Sequence, residues 1–322
     1  FAIGELQHLV GAAHGQTTDE VEHHAHLGGR HAHVLGAGLH TAALAGDELA
    51  VAREDGAVVT IGVFDGLHRG HMRLLATAER IALSAGLSRI HLGFDPHPDE
   101  VLRGSAPLRL LDPIEFELRL ASAGVEHWCD LPFDEEMRTT PWENFIDRVA
   151  GLTGAKSFVL SPESAFGHNR EGRLDRIRAW GAHRSIQVHP VGEVRIGGER
   201  ISSTAIRSAI AAGDLSTAAR ALGRPHAIIA LAEPGGEALR TGRLTLANEG
   251  LALPPAGEYE LRVGAAARLS GRLPLTGRLM RGSLDPASMS LQIAPDGLQR
   301  LPTGVERLRI ALLQRVAGRR SR

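Results

Sequence analysis

The sequence runs to 322 residues, of which 43% are apolar and 23% charged, with a formal net charge of −1. That length suits about two domains of ~100–200 residues each, and the near-neutral balance leaves no basic field of the kind that binds nucleic acid. A single cysteine, Cys129, excludes an intrachain disulfide framework and a cysteine-built zinc site, and no run approaches the ~18 apolar residues of a membrane span.

Residues 1–56 gather His8, His14, His23, His24, His26, His31, His33 and His40 in a Gly/Ala-rich stretch with little periodicity. His23 with His26, and His31 with His33, have chelating spacing. The expectation for this composition is nevertheless a mobile or loosely helical extension, disordered rather than built around a metal. The chain opens on Phe1 with no secretory-type leader, which makes a cytoplasmic protein the expectation.

Val58 to His71 reads VVTIGVFDGLHRGH. Val58, Val59, Ile61 and Val63 form a short β-branched run that predicts a buried strand. It breaks at Asp65-Gly66 and passes into a helical pattern, Arg69 to Ala85, with Leu74, Leu75, Ala78, Ile81 and Ala82 on one stripe. A helix start presents unpartnered N–H groups and the positive end of the macrodipole, so it suits a phosphate. His68 and His71 share a face of the first turn, and Gly70 leaves room between them.

From Ala57 to about Pro225 strands and helices alternate. Strands are expected over 89–94, 127–131, 157–160 and 185–191, and helices over 113–123, 141–152, 173–180 and 204–212. This pattern predicts a Rossmann-like parallel sheet covered by helices, with ligands beyond the carboxyl ends of the strands. Cys129 falls in one such strand and is expected to be buried rather than catalytic. Phe94–Pro98, FDPHP, is a proline-rich turn with His97 exposed. In Ile201–Arg207, ISSTAIR, Ser203 and Thr204 are N-cap residues whose hydroxyls and nearby amides suit phosphate oxygens, and Arg207 adds a cation one turn later. After Ala227 short runs separated by Gly and Pro predict a small β-rich unit. Leu301–Val316 is expected to close it as an amphipathic helix with Leu308, Leu312 and Val316 on one face, before a frayed basic tail, Ala317–Arg322. The expected organisation is thus 1–56, 57–225 and 226–322.

The H-x-G-H string preceded by G-x-F-D-G resembles the signature of the nucleotidylyltransferase superfamily. Within it, the chain most resembles the adenylyltransferase half of the bacterial bifunctional riboflavin kinase/FMN adenylyltransferases (FAD synthetases). ISSTAIR matches the family's I-S-S-T-x-I-R through Ile201, Ser202, Ser203, Thr204, Ile206 and Arg207. Gly213, Asp214, Ala218, Leu222, Gly223, Arg224 and Pro225 match its next segment. The resemblance implies transfer of AMP from ATP, with Mg2+, to FMN, giving FAD and pyrophosphate. It implies catalytic His68, His71 and Arg207, and ATP held by Gly62, Phe64, Asp65, Gly66, Gly70, Ser203 and Thr204. Gly62 and Gly66 would admit the nucleotide, and Asp65 would orient the loop or the metal, whose ligands stay unassigned. His97, Pro98, Glu163 and Phe166 would face the flavin.

Departures from the family pattern fall in three places. In Leu160–Gly172, Phe166, Gly167 and Gly172 match, but Ser161, Glu163 and Ser164 replace a glycine, a short polar residue and an aromatic; Glu117 stands where the family tends to have Lys. In the C-terminal unit Pro254–Val263 resembles a family strand, yet Gly242–Asn248, GRLTLAN, lacks the family's Pro and Thr-Ala pair. A barrel related to riboflavin kinase, with the kinase chemistry lost, is the expectation. Two alternatives stay open: another phosphorylated or modified flavin as acceptor, or a non-catalytic ATP- or flavin-binding paralogue. ATP and FMN are the only partners implied, with no nucleic acid and no membrane, and the sequence is silent on oligomeric state.

Overall fold

A computed structural model of the protein describes residues 34–35, 39–41, 56–125, 127–231, 240–266, 277–298 and 307–316. The histidine-rich stretch, apart from two short strands, and the basic tail lie outside the described residues. Seven strands form the first sheet: β1 (Val34–Leu35), β2 (Leu39–Thr41), β3 (Ala57–Ile61), β4 (Ser88–Asp95), β5 (His127–Pro132), β6 (Ala155–Leu160) and, after two two-residue strands β7 (Ala165–Phe166) and β8 (Gly172–Arg173), β9 (Gln187–Pro190). Their spatial order is β1-β2-β5-β4-β3-β6-β9, and every pair from β2 to β9 is parallel.

Alternation along β3 sorts its side chains onto two faces. Ala57, Val59 and Ile61 pack with Ile90, Leu92, Phe145, Phe158 and Trp180 on one side. Val58 packs on the other, against Leu74, Leu75, Ala78 and Ala82 of the Arg69–Ala85 helix. That helix starts and stops where the sequence pattern does, ending on Gly86 at φ 64, a conformation glycine adopts without a Cβ penalty. The helices 113–122, 142–153, 174–182 and 203–211 and the strands β4, β5, β6 and β9 fall within a few residues of expectation. Cys129 is half-buried in β5.

Two further helices, Ser203–Ala211 and Leu215–Leu222, pack on one another through Ile206, Ile210, Ala218 and Leu222, with Leu110 between them and the sheet domain. Asp214 accepts the Thr217 N–H at 3.0 Å to start the second helix, and Gly223 ends it. Beyond a hairpin of β10 (Arg195–Ile196) and β11 (Glu199–Arg200), which precedes these helices, the remaining strands close a barrel. They are β12 (His226–Leu231), β13 (Arg243–Leu246), β14 (Gly257–Ala265), β15 (Arg278–Asp285), β16 (Ser290–Ile293) and β17 (Arg307–Arg315), in the antiparallel order β12-β13-β16-β15-β14-β17. Ile228, Leu244, Leu261, Val263, Leu291 and Ile310 fill its interior.

The expected closing helix is instead strand β17, paired with both β12 and β14. Leu308 and Leu312 are four apart, a spacing that satisfies a helical stripe and a two-residue alternation alike. Ile310 between them settles the matter: Leu308, Ile310 and Leu312 all point into the barrel. The intervening Arg309 is buried as well, because that outer face lies against the sheet domain. There Arg309 donates to Glu115 at 2.7 Å, and residues 109 and 250–252 exchange backbone hydrogen bonds of 2.7 and 2.8 Å.

Candidate active site

At the carboxyl end of β3 the chain makes one 3-10 turn, Asp65–Leu67, before the Arg69–Ala85 helix. Gly66 turns at φ 81, and a Cβ there would lie 2.9 Å from Leu110, so this glycine is fixed by backbone and packing together. His68 is the helix N-cap: its Nδ1 accepts the His71 N–H at 3.3 Å. The two imidazoles stack face to face, with ring centroids 3.6 Å apart and planes 16° apart. A Cβ on Gly70 would come within 3.0 Å of the His68 ring. Gly70 therefore makes room for His68, in addition to leaving the turn open.

Behind His71 the stack continues. Phe64 lies on its far face at 4.7 Å and 14°, and His91 of β4 lies on the far face of Phe64 at 4.0 Å and 24°. Burial holds the His68 pKa down at about 4 and that of His71 well below the ordinary value, with the adjacent His68 adding to the effect on His71. Both rings are therefore neutral near pH 7, able to donate one N–H each, and an approaching phosphate anion would favour their protonation.

These rings form one end of a cavity of about 760 Å³. Gly62, Phe64, His68, Gly70, His71 and Ser203 belong to that end, together with Ser202. The other end is apolar and aromatic, lined by Phe94, Phe133, Phe145, Phe166, Met137 and Leu102. Phe145 packs between Phe94 and Phe166, at 6.4 and 5.4 Å. His97, Pro98, Glu163 and Arg200 also line the cavity. His97 is half-buried rather than exposed, because its Nδ1 accepts the Asp99 N–H at 3.0 Å and caps the Pro98–Arg103 helix; burial lowers its pKa. Glu163 is held in an ion pair with Arg200.

The second phosphate string differs from its sequence reading in three ways. Ser202, not Ser203 or Thr204, is the N-cap, accepting the Ala205 N–H at 3.2 Å. Ser203 donates its hydroxyl to the Asp65 carbonyl at 3.1 Å, and Thr204 is exposed on the first turn, off the cavity wall. Arg207 turns away from the cavity: it pairs with Asp65 at 2.5 Å and donates to the Leu108 carbonyl at 2.7 Å. Asp65 in turn accepts the Leu110 N–H at 2.8 Å. Asp65, Gly66 and Arg207 thus brace the turn that carries His68, and none of the three lines the cavity. Among the described residues no three His, Cys, Asp or Glu side chains converge as a metal-ligand set.

Two arginines at the site carried no role in the sequence reading. Arg200 immediately precedes ISSTAIR and faces the cavity beside His68, a position that the string itself could have signalled. Arg224 donates to the carbonyls of Gly66 at 2.6 Å and Leu67 at 3.1 Å. It ties the turn to the start of the barrel, a long-range contact with no local signature.

Comparison with known proteins agrees with this geometry. Residues 50–205 match the family model described as FAD synthetase. The chain is 35% identical over 179 residues to the bifunctional riboflavin kinase/FMN adenylyltransferase of Pseudomonas fluorescens, an alignment spanning 54% of this chain and 56% of that protein. It is 33% identical over 220 residues to the protein of the same description from Escherichia coli K12, covering 67% of this chain and 70% of the relative. A crystal structure described as a macrolide-efflux protein from Streptococcus pneumoniae superposes with a TM-score of 0.67 at 23% identity, over 81% of this chain and 85% of that one. That likeness speaks to the fold alone.

Proposed function

The chain belongs to the FAD synthetase family, that of the bifunctional riboflavin kinase/FMN adenylyltransferases, and we propose that its sheet domain transfers AMP from ATP to FMN, giving FAD and pyrophosphate. One observation carries the reading: a single cavity joins two stacked imidazoles at a helix N-terminus to a wall of phenylalanines. The first end matches a polyphosphate and the second a flat tricyclic ring. Because the aligned region spans little more than half of the Pseudomonas relative's length, the activity is argued from the site.

In this mechanism an FMN phosphate oxygen attacks the α-phosphorus of ATP in line, the bond to the bridging oxygen breaks, and pyrophosphate leaves. Positioning and charge stabilisation supply most of the rate in such transfers, so no side-chain nucleophile is needed. His68 and His71 donate N–H groups to the phosphates, where negative charge accumulates in the transition state. The Ser203 amide at the start of the Ser203–Ala211 helix holds the leaving pyrophosphate, helped by Arg200, while the Ser203 hydroxyl ties that helix to the Asp65 carbonyl. Arg207, Asp65 and Gly66 act by fixing the turn. Mg2+ carried in on the phosphates of ATP would neutralise charge there. His97, Pro98 and Phe166 border the flavin, and the setting is the cytoplasm, with residues 57–225 as the transferase unit.

The barrel of residues 226–322 has, in this proposal, lost riboflavin kinase activity. In the GRLTLAN stretch Asn248 is engaged locally, accepting the Gly250 N–H at 2.9 Å. A second reading, another phosphorylated or modified flavin as acceptor, is favoured by Ser161, Glu163 and Ser164 in the cavity wall.

Pyrophosphate release with ATP and Mg2+ tests both, with FMN, riboflavin or no acceptor in parallel. Release with FMN alone and FAD as product is the expected result. Release with riboflavin, and formation of FMN, would restore the kinase. ATP binding without release would remove FMN as the acceptor.

A further inference from the structure

His91 is an unusual residue for its position. It lies in the middle of β4, 1% exposed, in register with Thr60 of β3. Its neighbours Ile90 and Leu92 face the opposite core, so His91 faces the side on which Phe64, Leu74, Leu75 and Ala78 pack. On that side Thr60 Oγ1 and His91 Nδ1 share a hydrogen bond of 2.9 Å, while His91 Nε2 is buried without a partner. An unmet buried polar atom is destabilising, and an aliphatic residue at this place would carry no such cost. What the imidazole offers in return is a flat face, hydrogen-bonded at its edge and so unable to rotate, laid on Phe64 at 4.0 Å.

Phe64 has both faces occupied, by His91 and by His71, and His71 has both faces occupied, by Phe64 and by His68. A ring clamped on both faces keeps only in-plane directions for its nitrogens. His71 is thus held with its edge, not its face, available to a ligand in the cavity it lines. We propose that His91 is a positioning residue for adenylyl transfer, which acts through Phe64 to fix the ring plane of His71. It touches neither substrate. The proposal rests on the transferase reading above.

The discriminating variants are His91→Ala, which removes the flat face, and His91→Phe, which keeps a flat face and removes both nitrogens. In the pyrophosphate-release assay with ATP and FMN, His91→Ala should lower kcat by about 10-fold or more, because small misplacements of a catalytic group cost on that order. The KM for ATP should stay within about 2-fold, and His91→Phe should recover kcat to within about 3-fold of the parent protein, as expected of a group that acts on geometry rather than on binding. An unchanged kcat in His91→Ala, or an equal loss in both variants, would overturn the proposal.

A measurement without substrate separates this idea from the functional reading and does not depend on His91→Ala folding. Imidazole proton NMR of the unsubstituted protein, with His71 assigned by its loss in His71→Ala, should show the His71 ring protons shifted upfield by the rings above and below. His91→Phe should preserve that shift. Absence of the shift in the unsubstituted protein, or its loss in His91→Phe, would overturn the clamp, whichever acceptor the enzyme uses.

Discussion

Asp65 and Arg207 stand 142 residues apart in the chain and meet in an ion pair of 2.5 Å. Each is also tied to the 108–110 segment, Arg207 through the Leu108 carbonyl and Asp65 through the Leu110 N–H. The two strings that the sequence offers as phosphate sites are therefore mechanically joined. A planar fork reaches the carboxylate and the carbonyl at once; an ammonium does not. Arg207→Lys should accordingly lose activity almost as fully as Arg207→Ala, on the order of 10²-fold in kcat. Retention of activity in the lysine variant, measured by pyrophosphate release, would reduce the pair to a simple charge contact.

In the proposed mechanism His71, with His68, donates to the phosphates. His71→Ala should lower kcat by about 10²–10³-fold, with the circular dichroism spectrum and thermal midpoint little changed. An unaltered rate would take His71 out of the mechanism.

Acid should destabilise the protein through its buried histidines. Burial depresses the pKa of His68 to about 4, of His91 to about 3 and of His226 to about 4. The unfolded chain, with histidines near 6.5, then takes up protons that the folded chain refuses. Stability is full above the unfolded value and falls as pH drops from about 6.5 toward 4, by up to about 1.4 kcal/mol per pH unit for each such histidine. Thermal midpoints between pH 7.5 and 4.5 should trace that fall. The slope should be shallower in His91→Phe, and an identical slope would assign the acid sensitivity elsewhere.

The glycines of the turn should separate by site. Gly66→Ala forces a Cβ to within 2.9 Å of Leu110 at φ 81 and should cost about 1–3 kcal/mol. At Gly62 a Cβ would meet only Phe64, at 3.4 Å, so Gly62→Ala should fold as well as the parent. Denaturant midpoints for the two variants make the comparison, and equal losses would refute the packing argument.

Much of this architecture was legible because it is local. The Arg69–Ala85 helix has a clear stripe, an N-cap histidine and a C-cap glycine, and β3, β4, β5, β6 and β9 announce themselves as short runs between turns. Strand β17 was not legible, since Leu308 and Leu312 fit two periods and its second face is buried only because another domain covers it. Strands β13 and β15 carry alternate exposed residues, with Leu279 itself 63% exposed, and so lack a continuous apolar signal. The site divides in the same way. His68, Gly70 and His71 form a contiguous string, whereas the destination of Arg207, the clamp by Arg224 and the stack on His91 all depend on partners distant in sequence.

One more variant concerns the join between the two domains. Glu115 is wholly buried, held at a pKa of about 2 against the cost of burial by Arg309 and Arg119. Arg309→Met leaves the carboxylate to Arg119 and should cost about 1.5–3 kcal/mol for the lost charged hydrogen bond. Adding Arg119→Met removes the second cation, strands the carboxylate and should bring the loss to about 3–5 kcal/mol or more, as read from urea midpoints of the single and double variants.

The Arg309–Glu115 contact also bears on the history of the molecule. On the proposal that the barrel has lost its kinase chemistry, it would ordinarily be free to erode or be deleted. Here it carries the counter-ion of a buried carboxylate in the neighbouring domain, and the residue that leads into it, Arg224, grips the turn beneath the histidines. Losing the barrel would expose a charged seam and slacken that turn at a stroke. On that proposal, selection on adenylyl transfer would suffice to preserve the barrel, with no need of a second activity there.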